Sequence, residues 1–364
     1  MNKQARTIAL IVAPDGASGG GMGRVKDYIV ESSPEVWNGL VPTALVTRGD
    51  GGKLSSLQLL RGALATIRRR ARAGSLALVH VNMGDRGSAL RKGLIVLRAR
   101  ALGVPVFLHL HAVELEHQVA KRPWLGRLLA LPFKRATAVI VLGERYRKWV
   151  VDTLGVDHGR IEILWNGVPV DPPAQRRHDQ RPGPRTILFL GTLGERKGTH
   201  DLIAALGRLG PAAGEWRIRV AGPGDLDRFR AEAAAAGIAD RVEFLGWLGQ
   251  AEARAALAAA DMMVLPSYDE GLPLVILEAL GLGTPVIATP VGAIPEVLTD
   301  GEDVLFCKPG DREGLARTIE RLLGDAALRQ RLCDNGLARY RALFSIEAFR
   351  GNLLAIWQRY LGEA

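Results

Sequence analysis

The chain has 364 residues, of which 48% are hydrophobic and 24% charged, with 43 glycines and 19 prolines. That length exceeds what one ordinary core fills and predicts two domains of roughly 150 to 200 residues, while the composition excludes a disordered or fibrous chain. The net charge of +10 lies wholly in the first half, because residues 1–166 hold 25 Lys and Arg against 12 Asp and Glu and residues 167–364 hold 23 against 26.

In chain order, short β-rich apolar runs alternate with helix-like stretches. The first run, Thr7–Ala13, is cut by Pro14 and Asp15, which leaves it too short for the apolar part of a secretory leader. No stretch of about 18 apolar residues follows, so the expectation is a cytoplasmic chain that does not span a membrane. Leu76–Val81, Val104–Leu110, Thr137–Leu142 and Ile161–Leu164 come next, separated by Arg- and Leu-rich segments such as Leu54–Ala73. This alternation predicts parallel strands with crossover helices. Residues 168–184 hold Pro169, Pro172, Pro173, Pro182 and Pro184 among Arg and Gln, and read as a linker. The alternation restarts with Thr186–Leu190, Trp216–Ala221, Val242–Leu245, Met262–Leu265 and Val286–Ala288. The fold class expected is α/β, with two doubly wound domains over residues 1–167 and 185–345 facing each other across a cleft. Residues 346–364 read as an amphipathic helix, with Phe349, Leu353, Ile356, Trp357 and Tyr360 to bury, packing across the domain junction.

Ligands of such sheets bind beyond the carboxyl ends of the strands, which directs attention to the loops there. After Met262–Leu265 comes Pro266-Ser-Tyr-Asp-Glu270-Gly-Leu-Pro-Leu-Val-Ile-Leu-Glu278. Pro273 suits the first turn of a helix, so Glu270 falls in the loop and Glu278 more than a turn inside. Free N–H groups at that helix start, around Gly271, Leu272, Leu274 and Val275, can hold a diphosphate. The two carboxylates can accept hydrogen bonds from hydroxyls on either side of it. A nucleotide sugar has hydroxyls so placed, on its hexose and its ribose. The structural alternative is a first-turn acid and an exposed helix residue.

The segment Ala260–Glu296 resembles the signature of the group 1 glycosyltransferases, known as family 4, whose fold is the two-domain GT-B arrangement. Gly20-Gly21, His111, Asn166-Gly167-Val168 and Gly222-Pro-Gly224 resemble further motifs of that family. The resemblance implies that Glu270 contacts the donor hexose, Glu278 the ribose, and Lys197 the diphosphate, with Gly222 close by. A cation there also makes chemical sense, since leaving-group charge grows as the glycosidic bond breaks. Family members usually carry Arg where this chain has Thr192, which leaves Arg196 as the candidate second phosphate cation. Gly20 and Gly21 are expected in a loop closing on the phosphate, and His111 as a contact to donor sugar or acceptor. Alternation along the strand points His109 and His111 to one face.

Asp225-Leu-Asp227 matches a metal-binding D-x-D pattern but opens a helix, where Asp is a routine cap. No metal and no cofactor are expected, only a nucleotide-diphosphate sugar of UDP or GDP type as substrate. Cys307 and Cys333 have no metal-ligand spacing. The resemblance implies a retaining hexosyltransferase acting on a glycan or lipid-linked glycan, in surface polysaccharide or glycolipid synthesis. A GT-B nucleotide-sugar epimerase and a non-catalytic nucleotide-sugar binding subunit are the alternatives. The basic first half suits an anionic membrane surface, on the inner face of the cell membrane, better than nucleic acid, for which no recognition motif is present. Lys121–Arg135, with Trp124, Leu128, Leu129 and Phe133 among its cations, reads either as a core helix with basic ends or as a segment that would lie at such a surface.

Overall fold

The computed structural model describes residues 7–14, 20–32, 34–47, 53–84, 86–111, 113–173 and 183–362. The chain divides into two compact units: Met1–Gly167 together with Ile346–Ala364, and Val168–Ser345.

The first unit is built on β1 (Ile8–Ala13), β2 (Val41–Val46), β3 (Leu76–Met83), β4 (Val106–Leu110), β5 (Ala138–Val141) and β6 (Ile161–Ile163), in the order β2-β1-β3-β4-β5-β6. Every pairing is parallel. All eight residues of β3 are buried, as expected of a strand covered on both faces by crossover helices. The edge strand β2 was absent from the sequence expectation. It carries Pro42, which an edge tolerates and a central strand does not, and its burial is mixed.

The second unit contains β7 (Arg185–Leu190), β8 (Trp216–Ala221), β9 (Val242–Gly246), β10 (Met262–Leu265), β11 (Val286–Ala288) and β12 (Leu305–Phe306). Their order is β12-β11-β10-β7-β8-β9, again all parallel. The chain walks outward from β7 to β9, then returns to the other side of β7 with β10. The two strands at this reversal are the switch point, where neighbouring loops diverge and leave a crevice. In the first unit the reversal lies between β1 and β3.

Val168 and Val170, expected in a linker, are buried in the second unit. The Tyr340 hydroxyl lies 2.8 and 2.9 Å from their carbonyl oxygens and accepts the Val170 N–H. Residues 174–182 of that linker lie outside the described residues. The final helix, Ile346–Leu361, packs on the first unit. Trp357 is fully buried, 4.9 Å from the Trp37 ring, and donates its indole N–H to His80 Nδ1 at 3.3 Å; Arg350 donates to the Tyr28 carbonyl. Phe349, Leu353 and Ile356 are buried with it, while Tyr360 is only half-buried and donates its hydroxyl to Glu162.

Candidate functional site

In the second unit the loops after β7 and β10, the two switch-point strands, are locked together through their backbones. Gly198 has φ +66, and a Cβ there would come within 2.1 Å of the Pro266 carbonyl oxygen. Only glycine fits, and the fit presses the Lys197 turn onto the end of β10. Tyr268 N–H donates to the Arg196 carbonyl at 2.8 Å, adding a second stitch. A third comes from Asp201, whose carboxylate accepts the Tyr268 hydroxyl and Arg312 Nε, each at 2.7 Å.

Held this way, Lys197 Nζ forms an ion pair with Glu270 Oε1, to which Ser267 Oγ also donates at 2.7 Å. Arg196 lies 3.9 Å from the other carboxylate oxygen and donates to the Asp269 carbonyl. Glu270 is 6% exposed, so its charge is held almost out of water by two cations and a hydroxyl. Gly292, with φ +62, fixes the carboxylate's backbone from behind: a Cβ there would meet the Glu270 carbonyl at 1.9 Å.

The helix that follows, Leu274–Gly281, begins at Pro273 with no side-chain cap, so its first N–H groups have no capping acceptor from the N-cap side chain. Leu272 and Leu274 are buried. Glu278 is 1% exposed, which overturns the reading of an exposed helix residue, and Arg254 Nε lies 3.8 Å from it. Arg254 had no signal in the sequence, because its partner lies 24 positions further on.

Thr192 is exposed in the loop after β7. Gly222 stacks on that loop at φ +145; a Cβ there would lie 1.8 Å from the Gly191 carbonyl. Asp225 caps its helix by accepting the Arg228 N–H at 3.1 Å, and Asp227 pairs with Arg230 at 2.9 Å. Both carboxylates of the D-x-D pattern are thus engaged structurally.

In the first unit, His111 follows β4 and its Nε2 meets Asn82 Oδ1 at 2.8 Å. Its ring stacks on that of His109 with centroids 3.9 Å apart. Lys92, almost fully buried, donates to the Asn82 carbonyl at 2.5 Å and lies 3.6 Å from Met22 Sδ. Burial pushes the His111 pKa down to about 3, and its neighbours His80 and the charged Lys92 oppose a second proton there as well. Gly20 and Gly21 are not in a loop: they open the helix Gly20–Val30, where burial of Gly23, Val25, Tyr28 and Ile29 outweighs glycine's poor helix propensity. Residues 15–19 of the expected loop lie outside the described residues. The structure therefore brings Arg196, Lys197 and Glu270 together, places Glu278 on the adjoining helix, and sets His111 and the two glycines in the other unit.

Two family models match consecutive parts of the chain: glycosyltransferase family 4 over residues 37–172 and glycosyl transferases group 1 over residues 171–339. This chain belongs to the group 1, family 4 type glycosyltransferases. A glycogen synthase of Mycobacterium tuberculosis is 32% identical over 248 residues, covering 64% of this chain and 58% of that protein. A lipopolysaccharide core biosynthesis glycosyltransferase of Rhizobium meliloti is 39% identical over 163 residues, 44% of this chain and 46% of that one. The chain thus spans about half the length of these curated relatives. The solved structure of HepE from Anabaena, in complex with UDP and glucose, superposes with a TM-score of 0.75 at 18% identity, over 95% of this chain and 98% of that one. At that identity it shows the GT-B fold, two Rossmann-like units each with one parallel six-stranded sheet.

Proposed function

We propose that this glycosyltransferase moves a hexosyl unit from a nucleoside diphosphate sugar to a glycan or lipid-linked glycan, with retention of configuration and without a metal. The observation that carries the reading is the convergence of Lys197, Arg196 and Ser267 on Glu270, beside the uncapped start of the Leu274–Gly281 helix. With the donor bound, the diphosphate takes Lys197 and the helix-start amides of Leu274 and Val275. Glu270 then turns to the hexose hydroxyls and Glu278 to the ribose. The bond from the anomeric carbon to phosphate breaks and that from the acceptor oxygen forms on the same face, with the acceptor proton passing to the leaving phosphate oxygen. Lys197 balances the charge that develops there, the task a metal would otherwise have. His111 is assigned a sugar hydroxyl, and Gly20 and Gly21 the phosphate, on the family resemblance. The UDP of the Anabaena structure supports testing uridine nucleotides first.

Thermal unfolding with UDP, GDP, ADP and their sugar conjugates tests the reading, because a ligand of the native state raises the transition by mass action. One nucleotide series should stabilise the wild type and lose its effect in Lys197→Ala. No stabilisation by any of them at millimolar concentration would remove the donor assignment.

Partnership with an anionic membrane surface is supported by the helix Pro123–Arg135. Leu125, Leu129 and Phe133 bury one face. Trp124, Leu128 and Leu131, spaced by four and three residues, are each about half exposed on another. Lys121, Arg122, Arg127, Lys134 and Arg135 surround them, all exposed. No helix among the described residues is long and apolar enough to cross a membrane. The protein should float with vesicles rich in anionic lipid at low salt, and Trp124→Ser with Leu128→Ser should abolish this; wild-type protein left in the pellet fraction would count against it.

A further inference from the structure

The carboxyl ends of β3 and β4 carry a column of side chains of which the donor reading uses only His111. At its base, Trp357 gives its indole N–H to His80 Nδ1 at 3.3 Å. An indole can only donate, so His80 Nδ1 must hold a lone pair, and His80 is an uncharged ring with its proton on Nε2. His109 stands edge-on to His80 with centroids 5.4 Å apart, fully buried, and neither of its ring nitrogens has a partner among the described residues. A charge there would have no compensation, so this ring too is neutral. His111 stacks on His109 at 3.9 Å and completes the column at its open end.

The Asn82 amide faces both His80 and His111. Asn82 Oδ1 lies 2.8 Å from His111 Nε2, and a carbonyl oxygen can only accept, so Nε2 must carry the proton. That leaves Nδ1 as the atom with the lone pair. Lys92, from the helix Arg86–Ala101, places its ammonium on the backbone carbonyl of the same Asn82, and Met22, from the helix Gly20–Val30, lies behind that ammonium. The charge of Lys92 thus opposes a second proton on His111.

We infer that Asn82 is a positioning residue that fixes His111 in the Nε2–H form, so that Nδ1 acts as a hydrogen-bond acceptor for a sugar hydroxyl and His111 takes no part as an acid. The inference rests on the reading of His111 as a sugar contact, and it sharpens that reading: the ring selects a hydroxyl by accepting its proton. His109 packs against the imidazole with the two rings tilted by 37°.

The test is ring nitrogen NMR of the full-length protein labelled with 15N-histidine, with His111 assigned by its loss in His111→Gln. The expected spectrum shows His111 as the Nε2–H tautomer, still neutral at pH 5. In Asn82→Asp a carboxylate replaces the amide oxygen, and His111 should take up a second proton several pH units higher than in the wild type. Asn82→Ala should give a mixture of tautomers with the fold intact by circular dichroism. An Nδ1–H tautomer in the wild type, or a His111 titration unmoved in Asn82→Asp, would overturn the inference. The substrate reading fails separately: His111→Ala with unchanged turnover of the sugar nucleotide removes His111 from the site and leaves the tautomer result standing. If both hold, adding the sugar nucleotide should shift Nδ1 and adding the bare nucleoside diphosphate should not.

Discussion

Glu270→Ala should lower turnover of the donor, followed as nucleoside diphosphate release, by roughly 10²- to 10³-fold while the protein still folds. Both Lys197 Nζ and Ser267 Oγ reach this carboxylate. On the proposed reading, truncation removes the hydrogen-bond acceptor for the hexose and frees Lys197 to drift from the position where leaving-group charge would appear. The stability loss should stay near about 1–3 kcal/mol, the usual range for stranding partners of a buried acceptor. Lys197 keeps part of its side chain in water and can re-solvate. The double variant Glu270→Ala with Lys197→Ala should be less harmful than the sum of its parts, since the two residues act as one unit. An unchanged rate in Glu270→Ala would dismiss the catalytic assignment outright.

Gly292→Ala should be nearly as damaging although the residue has no side chain to offer a ligand. Its φ of +62 already imposes about 1–2 kcal/mol on an alanine. The added methyl would also stand 1.9 Å from the Glu270 carbonyl and 2.6 Å from that of Gly271, which moves the whole turn. Gly237→Ala is the control: φ is +72, and a Cβ there meets nothing within 4 Å. The control should show the backbone penalty in its urea midpoint and normal turnover, whereas Gly292→Ala should lose turnover as well. Equal behaviour of the two variants would mean that the turn beneath Glu270 tolerates displacement.

Where local signals were strong, sequence and structure agree. Strands such as Trp216–Ala221 and Met262–Leu265 have the expected bounds, because the alternation of apolar residues with Arg217 and Arg219 marks the first and an unbroken apolar run the second. β2 and β12 escaped for opposite reasons: one contains a proline, the other is two residues long. At the site, Lys197 and Glu270 could be named singly, but their pairing could not, since it depends on β7 and β10 being neighbours while 73 residues separate the two side chains. The Asn82 and Lys92 environment of His111 was equally hidden, as was the split of Lys121–Arg135 into a buried and an exposed apolar face. The eye sees a mixed run there; the 3.6-residue period sorts it.

The return of the last helix to the first unit has a consequence for biogenesis. Domains emerging from a ribosome ordinarily fold in order, the N-terminal one first. Here residues 168–345 form a continuous unit that can close as soon as it is made, whereas the earlier-made unit lacks Trp357 and its buried neighbours until the helix Ile346–Leu361 has followed. The nascent chain therefore carries the unfilled face around Trp37, His80 and Phe107 throughout translation of the second unit. Deletion of the helix Ile346–Leu361 would strand the first unit half-built beside a finished second one.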